Sequence, residues 1–272
     1  MPHLNANGTQ LFYRDWGAGR PVVFVTSWAL SSIMWQYQMQ HLAENGFRAI
    51  GYDRRGHGRS DDPGTGYDFD TLADDLAALI EHLDLTEVTL VGHSMGGGEI
   101  VRYLTRHGEG RVAKIVLVGS TVPCLRQLPD NPNGVPVAAS EQLLARMRTD
   151  LGGWIDENAA PFFGDGLPGC ELPQATKDWA IRDCMGVSLN AAIACTATNM
   201  AADFRPELAK ITVPALVVHG DHDASAPLDL CGRTTAELIA DAELRVYTDA
   251  AHALYLTHTE RLNSDLLEFA RK

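Results

Sequence analysis

The sequence predicts an α/β fold: a mostly parallel sheet covered on both faces by helices. Three observations predict it. Short β-rich apolar runs recur along the 272 residues, and amphipathic stretches of helical period separate them. A glycine-rich joint, GHSMGGG at residues 92–98, leads straight from one such run into one such stretch. Taken in order, LFYRDWG (11–17) and RPVVFVTSW (20–28) read as two early strands joined by a turn at Gly17 to Gly19. WQYQMQHLAENG (35–46) reads as a helix and FRAIGYD (47–53) as a strand. TLADDLAALIEHLDL (71–85) is a second helix, because Leu72, Leu76, Leu79, Ile80 and Leu83 fall on one stripe. The strand EVTLVG (87–92), the helix GEIVRYLTRHG (98–108) and the strand AKIVLVGS (113–120) follow. VPALVVHGD (213–221), GRTTAELIAD (232–241) and ELRVYTD (243–249) complete the rhythm as strand, helix and strand.

Between residues 123 and 205 the strand signals stop. LPDNPNGVP (128–136) is a loop rich in turn formers, while SEQLLARMRTDLGGW (140–154) and LNAAIACTATNMAAD (189–203) look helical. The strands on either side share one pattern, so residues 1–122 and 206–272 are expected to form one core and residues 123–205 a helical cap inserted into it.

Composition narrows the function. Apolar residues at 45% and charged residues at 21% are ordinary globular usage. A net charge of −13 argues against nucleic acid or an anionic membrane surface as partner, since either requires a basic footprint. No apolar run reaches the roughly 20 residues of a membrane span. The stretch MPHLNANGTQLFYRDWG has neither the basic nor the apolar region of a signal peptide. Five scattered cysteines without a CxxC pair fit reduced thiols, so a cytoplasmic protein is expected.

Gly92-His93-Ser94-Met95-Gly96 matches G-x-S-x-G with a strand before it and a helix after it. A serine at so sharp a turn needs small neighbours two residues away on each side, and the following helix start directs N–H groups at the site. Ser94 is therefore the candidate nucleophile. In this architecture an acid and then a histidine follow the serine, each in a loop after a later strand. HGDHD (219–223) ends one strand and offers Asp221 and Asp223; Asp221 is assigned to the turn and Asp223 to the histidine. His252 follows the last strand and is the candidate base, while His258 is assigned to surface or packing and His93 to the lining. A metal site at HGDHD lacks a second ligand cluster, and RRGHGRS (54–60) is neither phosphate-loop motif, so no metal or cofactor is expected.

Together these residues resemble the α/β-hydrolase fold family, and within it the bacterial arylesterases and cofactor-free haloperoxidases (perhydrolases). The resemblance runs through YRDWGAGRPVVF, YDRRGHGRSD, LADDLAALIEHLDLTEVTLVGHSMGGGE, DFRPELAKITVPALVVHGDHD and LNSDLLEFARK, and is weakest over residues 138–200. It implies a Ser94–His252–Asp223 triad, oxyanion donors at the backbone N–H groups of Trp28 and Met95, and a small ester as substrate with no cofactor. It implies a homo-oligomer, and a pocket lined by Trp28, Met95 and Phe162 with Ser225 and Ala226 opening space near the acid. Two departures stand out: the family's usual His-Gly before the oxyanion tryptophan is Thr26-Ser27, and its Pro-His-Gly is Ala251-His252-Ala253. The same triad would also serve a lactonase, an amidase or a C–C hydrolase. A cofactor-free lyase or oxygenase, or a binding protein without turnover, are the readings from other classes.

Overall fold

Alternation along the central strands decides the layering. In a computed structural model describing residues 2–272, Val23, Val25, Ile50 and Leu90 join one core cluster, while their neighbours Val22, Phe24, Ala49 and Val91 join a second on the opposite face. Strand side chains alternate sides, so a sheet with two apolar faces must be covered twice.

The strands are β1 (His3–Ala6), β2 (Thr9–Gly17), β3 (Arg20–Val25), β4 (Phe47–Tyr52), β5 (Val88–His93), β6 (Val112–Val118), β7 (Ala215–Gly220) and β8 (Ala242–Tyr247). They form one sheet in the order β1-β2-β4-β3-β5-β6-β7-β8. The β1–β2 and β2–β4 pairs are antiparallel, and every pair from β4–β3 to β7–β8 is parallel. The two early strands joined through Gly17 to Gly19 are not partners, because β4 lies between them. β1 was not foreseen: four residues of the edge hairpin carry too short an apolar pattern.

Helices α1 (Gln36–Glu44), α2 (Phe69–His82) and α3 (Met95–His107) link the first parallel strands. α2 starts two residues before the expected Thr71, because Asp68 is its N-cap and accepts from the Thr71 N–H at 2.9 Å. Leu72, Leu76, Leu79 and Ile80 of its stripe are buried with Ile100 and Val101 of α3 on one face. Met39 and Leu42 of α1 cover the other face with Leu262 and Leu266 of the C-terminal helix.

Between β6 and β7 lie α4 (Val137–Phe163), α5 (Gln174–Cys184) and α6 (Leu189–Ala201), followed by the short α7 (Arg205–Leu208). α5 was not anticipated. α4 breaks at Asp150, whose φ of −160° and ψ of 81° are non-helical and whose Oδ1 accepts from the Gly153 N–H at 2.8 Å, recapping the second half. The remaining helices are α8 (Thr234–Leu238), which a π-turn at Asp229–Arg233 precedes, α9 (Leu254–Thr257) and α10 (Thr259–Arg271). Among the described residues no helix is long and apolar enough to cross a membrane.

Candidate active site

The C-terminal ends of parallel strands open onto one edge of the sheet, and three loops there carry Ser94, Asp223 and His252. Ser94 sits between β5 and α3 with φ 54° and ψ −121°, a left-handed conformation that an L-residue adopts only under strain. The joint is as tight as its glycines require. A Cβ on Gly92 would lie 2.7 Å from the Gly96 carbonyl oxygen, and one on Gly96 would lie 2.8 Å from the Thr26 carbonyl oxygen.

The strained turn lifts the Ser94 hydroxyl to 2.9 Å from Nε2 of His252, whose Nδ1 is 2.7 Å from Oδ2 of Asp223. An ionised carboxylate only accepts, so Nδ1 carries the proton and Nε2 is free to accept from the hydroxyl. That is the tautomer a general base needs. The other carboxylate oxygen of Asp223, Oδ1, accepts from the Ser225 and Ala226 N–H groups at 2.9 and 2.8 Å. Burial works to raise the Asp223 pKa, yet His252, the nearby His219 and the Ala226 N–H outweigh it and hold the carboxyl below its usual range. Ser94, Asp223 and His252 are all buried, at 5%, 4% and 3% exposure, so their mutual attraction is little screened by water.

The other expected site residues fall into two groups. Phe162 lies beside His252, its ring 5.6 Å edge-on from the imidazole, while the Trp28 side chain finds its hydrogen-bond partner on α6, where the indole N–H donates to the Ala192 carbonyl at 2.9 Å. Met95 is the first residue of α3, so its N–H has no intrahelical acceptor, while its side chain is buried in the core. Ser225 and Ala226 meet the site through their backbone, clamping Asp223; the Ala226 side chain is fully buried against Leu125 and Cys231. Of the candidates set aside, Asp221 is exposed beside His222, 2.8 Å away, and His258 stands at the junction of α9 and α10 with its ring 5.8 Å from that of Tyr247. Ser27 turns its N–H to the Met34 sulfur at 3.3 Å.

Sequence reasoning missed three features. Trp154, on the second half of α4, stands perpendicular to the Trp28 ring at 5.3 Å, a tertiary contact that no local pattern encodes. His93 donates from Nε2 to the His252 carbonyl at 2.9 Å and so steadies the loop that carries His252. Arg54 and Glu99 form an ion pair with exposures of 1% and 0%. A glutamate among the glycines and apolar residues of α3 was its one sequence signal.

Buried histidines give the molecule a pH dependence of its own. Burial first, and then the Arg54 charge, lowers the pKa of His57 from 6.5 to about 3; burial and His252 do the same to His93. Both depressed histidines stay neutral in the folded chain while the unfolded chain takes up their protons. Stability is therefore full above pH 6.5 and falls as the pH drops toward 3. Each group removes about 2 kcal/mol between pH 8 and pH 5. Urea unfolding at the two pH values is expected to show that loss, and His57→Gln should lessen it; an unchanged midpoint would contradict it.

A family model of the α/β hydrolase fold matches residues 20–259. A non-heme chloroperoxidase from Kitasatospora aureofaciens is 41% identical over 268 residues, covering 98% of both chains. A bifunctional esterase/perhydrolase from Acinetobacter calcoaceticus is 36% identical and covers 97% of both. The crystal structure of a bromoperoxidase from Bacillus anthracis superposes with a TM-score of 0.95 at 35% identity, covering 100% of this chain and 99% of that one. Sheet order, strained serine turn, family match and full-length relatives agree: the chain belongs to the α/β hydrolase fold family.

Proposed function

We propose that the chain is a serine esterase for small carboxylic esters. The observation that carries this reading is the hydrogen-bonded line from the Ser94 hydroxyl through His252 to Asp223 at a strained strand-to-helix turn. In the proposed reaction His252 Nε2 takes the hydroxyl proton as Oγ attacks the ester carbonyl, and Asp223 stabilises the imidazolium. The Trp28 and Met95 N–H groups hold the oxyanion. His252 then gives its proton to the departing alkoxide, leaving an acyl-serine. Water, deprotonated by the same imidazole, releases the acid. Hydrogen peroxide in place of water would release a peracid; the likeness to a protein named esterase/perhydrolase supports that second outcome. Residues 123–205 serve in this reading as the cap, since α4 brings Trp154 to Trp28 and Phe162 to His252.

The test is release of p-nitrophenol from the acetate and butyrate esters, followed by peracid formation from acetate and hydrogen peroxide. Esterase turnover with no peracid would restrict the reading to hydrolysis; turnover of neither kind would overturn it. Trp154 narrows the space over Trp28, so Trp154→Ala is expected to raise the butyrate-to-acetate ratio of kcat/KM roughly tenfold, the worth of one or two methylenes in an apolar pocket. A ratio that stays put would remove Trp154 from the acyl site.

A further inference from the structure

Arg54 spends its whole donor set within the core. Nε and one N–H of NH2 go to Oε1 of Glu99, Nε at 2.8 Å; the second N–H of NH2 goes to the Thr26 carbonyl at 2.7 Å. NH1 serves the Ser27 carbonyl at 3.0 Å and Nε2 of His57 at 3.3 Å. His57 is suited to accept there, because its Nδ1 donates to the Arg55 carbonyl at 2.8 Å. Glu99 turns its other oxygen to the Tyr52 hydroxyl at 2.9 Å. Burial opposes the charge on Arg54, but Glu99 outweighs it and raises the pKa, so the guanidinium stays charged.

The two carbonyls on that guanidinium precede Trp28. In a trans peptide the C=O and the N–H of one plane point in opposite directions. The Thr26–Ser27 peptide displays this: its carbonyl faces Arg54 and its N–H faces Met34. The Ser27–Trp28 peptide likewise has its carbonyl fixed on Arg54, which sets the direction of the Trp28 N–H on the far side. A cation on the carbonyl also polarises the amide and strengthens its N–H as a donor. The Met95 N–H is held in a parallel manner, since the Ser94 carbonyl of the same peptide accepts from Gly97 N at 3.1 Å, Ser120 Oγ at 3.2 Å and Thr121 N at 3.3 Å. Glu99 stands one turn along the helix that Met95 begins. The Arg54–Glu99 pair thus joins the element bearing one N–H to the element bearing the other.

We infer that Arg54 is a positioning residue for the oxyanion site, aiming and polarising the Trp28 N–H through the Ser27 carbonyl, with Glu99 fixing its distance from the Met95 N–H. This rests on the esterase reading, in which those two N–H groups receive the oxyanion. It also gives Thr26-Ser27 a reason: the segment is held by its carbonyl oxygens, which any residue supplies.

Arg54→Lys keeps the charge but cannot span two carbonyls and Glu99. Arg54→Met with Glu99→Gln removes both charges and leaves an acceptor for Tyr52. Each is compared with wild type in kcat per phosphonate-titrated serine, in KM for p-nitrophenyl acetate, and in affinity for a phenylboronic acid, whose serine adduct presents a tetrahedral oxyanion. The double variant should lose roughly 10- to 100-fold in kcat per titrated site and a similar factor in boronate affinity, with KM within about threefold; Arg54→Lys should fall between. Mere loosening of the fold would lower the titrated fraction instead. Folded variants with unchanged kcat per site, or a loss in kcat without one in boronate affinity, overturn the inference. Where the double variant does not fold, Arg54→Lys decides by the same readings. Boronate binding needs no turnover, so a wild type inert toward esters but binding boronate through Arg54 would fault the esterase reading alone.

Discussion

Ser94→Ala is expected to lower kcat for p-nitrophenyl acetate by on the order of 10^6, to the level that binding and the oxyanion donors sustain by themselves. The loss is this large because in the proposed reaction the hydroxyl forms the covalent bond, and among the described residues the hydrogen-bond partner of His252 Nε2 is Ser94 Oγ, at 2.9 Å. The variant should fold. It keeps the strained φ of 54°, but alanine fills the space of a serine that is 5% exposed and whose backbone remains tied to Val118 and Gly97. Phosphonate labelling should vanish with turnover. Equal ester rates in the two proteins would end the assignment of the nucleophile, and labelling that survives the substitution would move it elsewhere.

How legible the site was depends on the range of the interactions that build it. The β5–α3 joint is local: strand, strained serine and flanking glycines lie within a dozen residues, so their pattern is written in consecutive positions. The loops of Asp223 and His252, the proposed acid and base, were readable as the segments that follow strands, although β7 is buried throughout and β8 carries Glu243 and Arg245 on a half-buried strand. Antiparallel β1 and the insertion of β4 between β2 and β3 depend on which edges pair in space, and the hydrophobic period is silent on that. The Trp154–Trp28 contact joins the segment after β3 to the far side of the kink at Asp150, as the Arg54–Glu99 pair joins the loop after β4 to α3. RRGHGRS could be recognised as a loop, yet nothing in its spacing tells that the first arginine points inward and the second meets Asp75 at 2.7 Å.

Asp223→Asn is expected to reduce kcat by roughly 10^4, about a hundredfold less than removing the serine, although the side chain keeps its shape. The direction of the amide decides this. Oδ1 of Asp223 accepts from two backbone N–H groups, Ser225 and Ala226, so the asparagine must place its oxygen there and its NH2 toward His252. An NH2 facing Nδ1 forces that nitrogen to accept, which moves the ring proton to Nε2. His252 would then present a donor to Ser94 and could no longer take its proton, and the charge that stabilises the imidazolium would be gone. Thermal stability should change little, since the two N–H groups keep their acceptor and the His219 Nε2–H keeps the Ala226 carbonyl at 2.6 Å. Labelling by a fluorophosphonate depends on the same proton transfer and should slow in parallel. Asp221→Asn, two residues away and exposed, is the control and should stay within about twofold of wild type. A loss under tenfold at Asp223 with normal labelling would mean that the carboxylate holds the loop and does not act through His252. A loss at Asp221 larger than at Asp223 would exchange the two assignments.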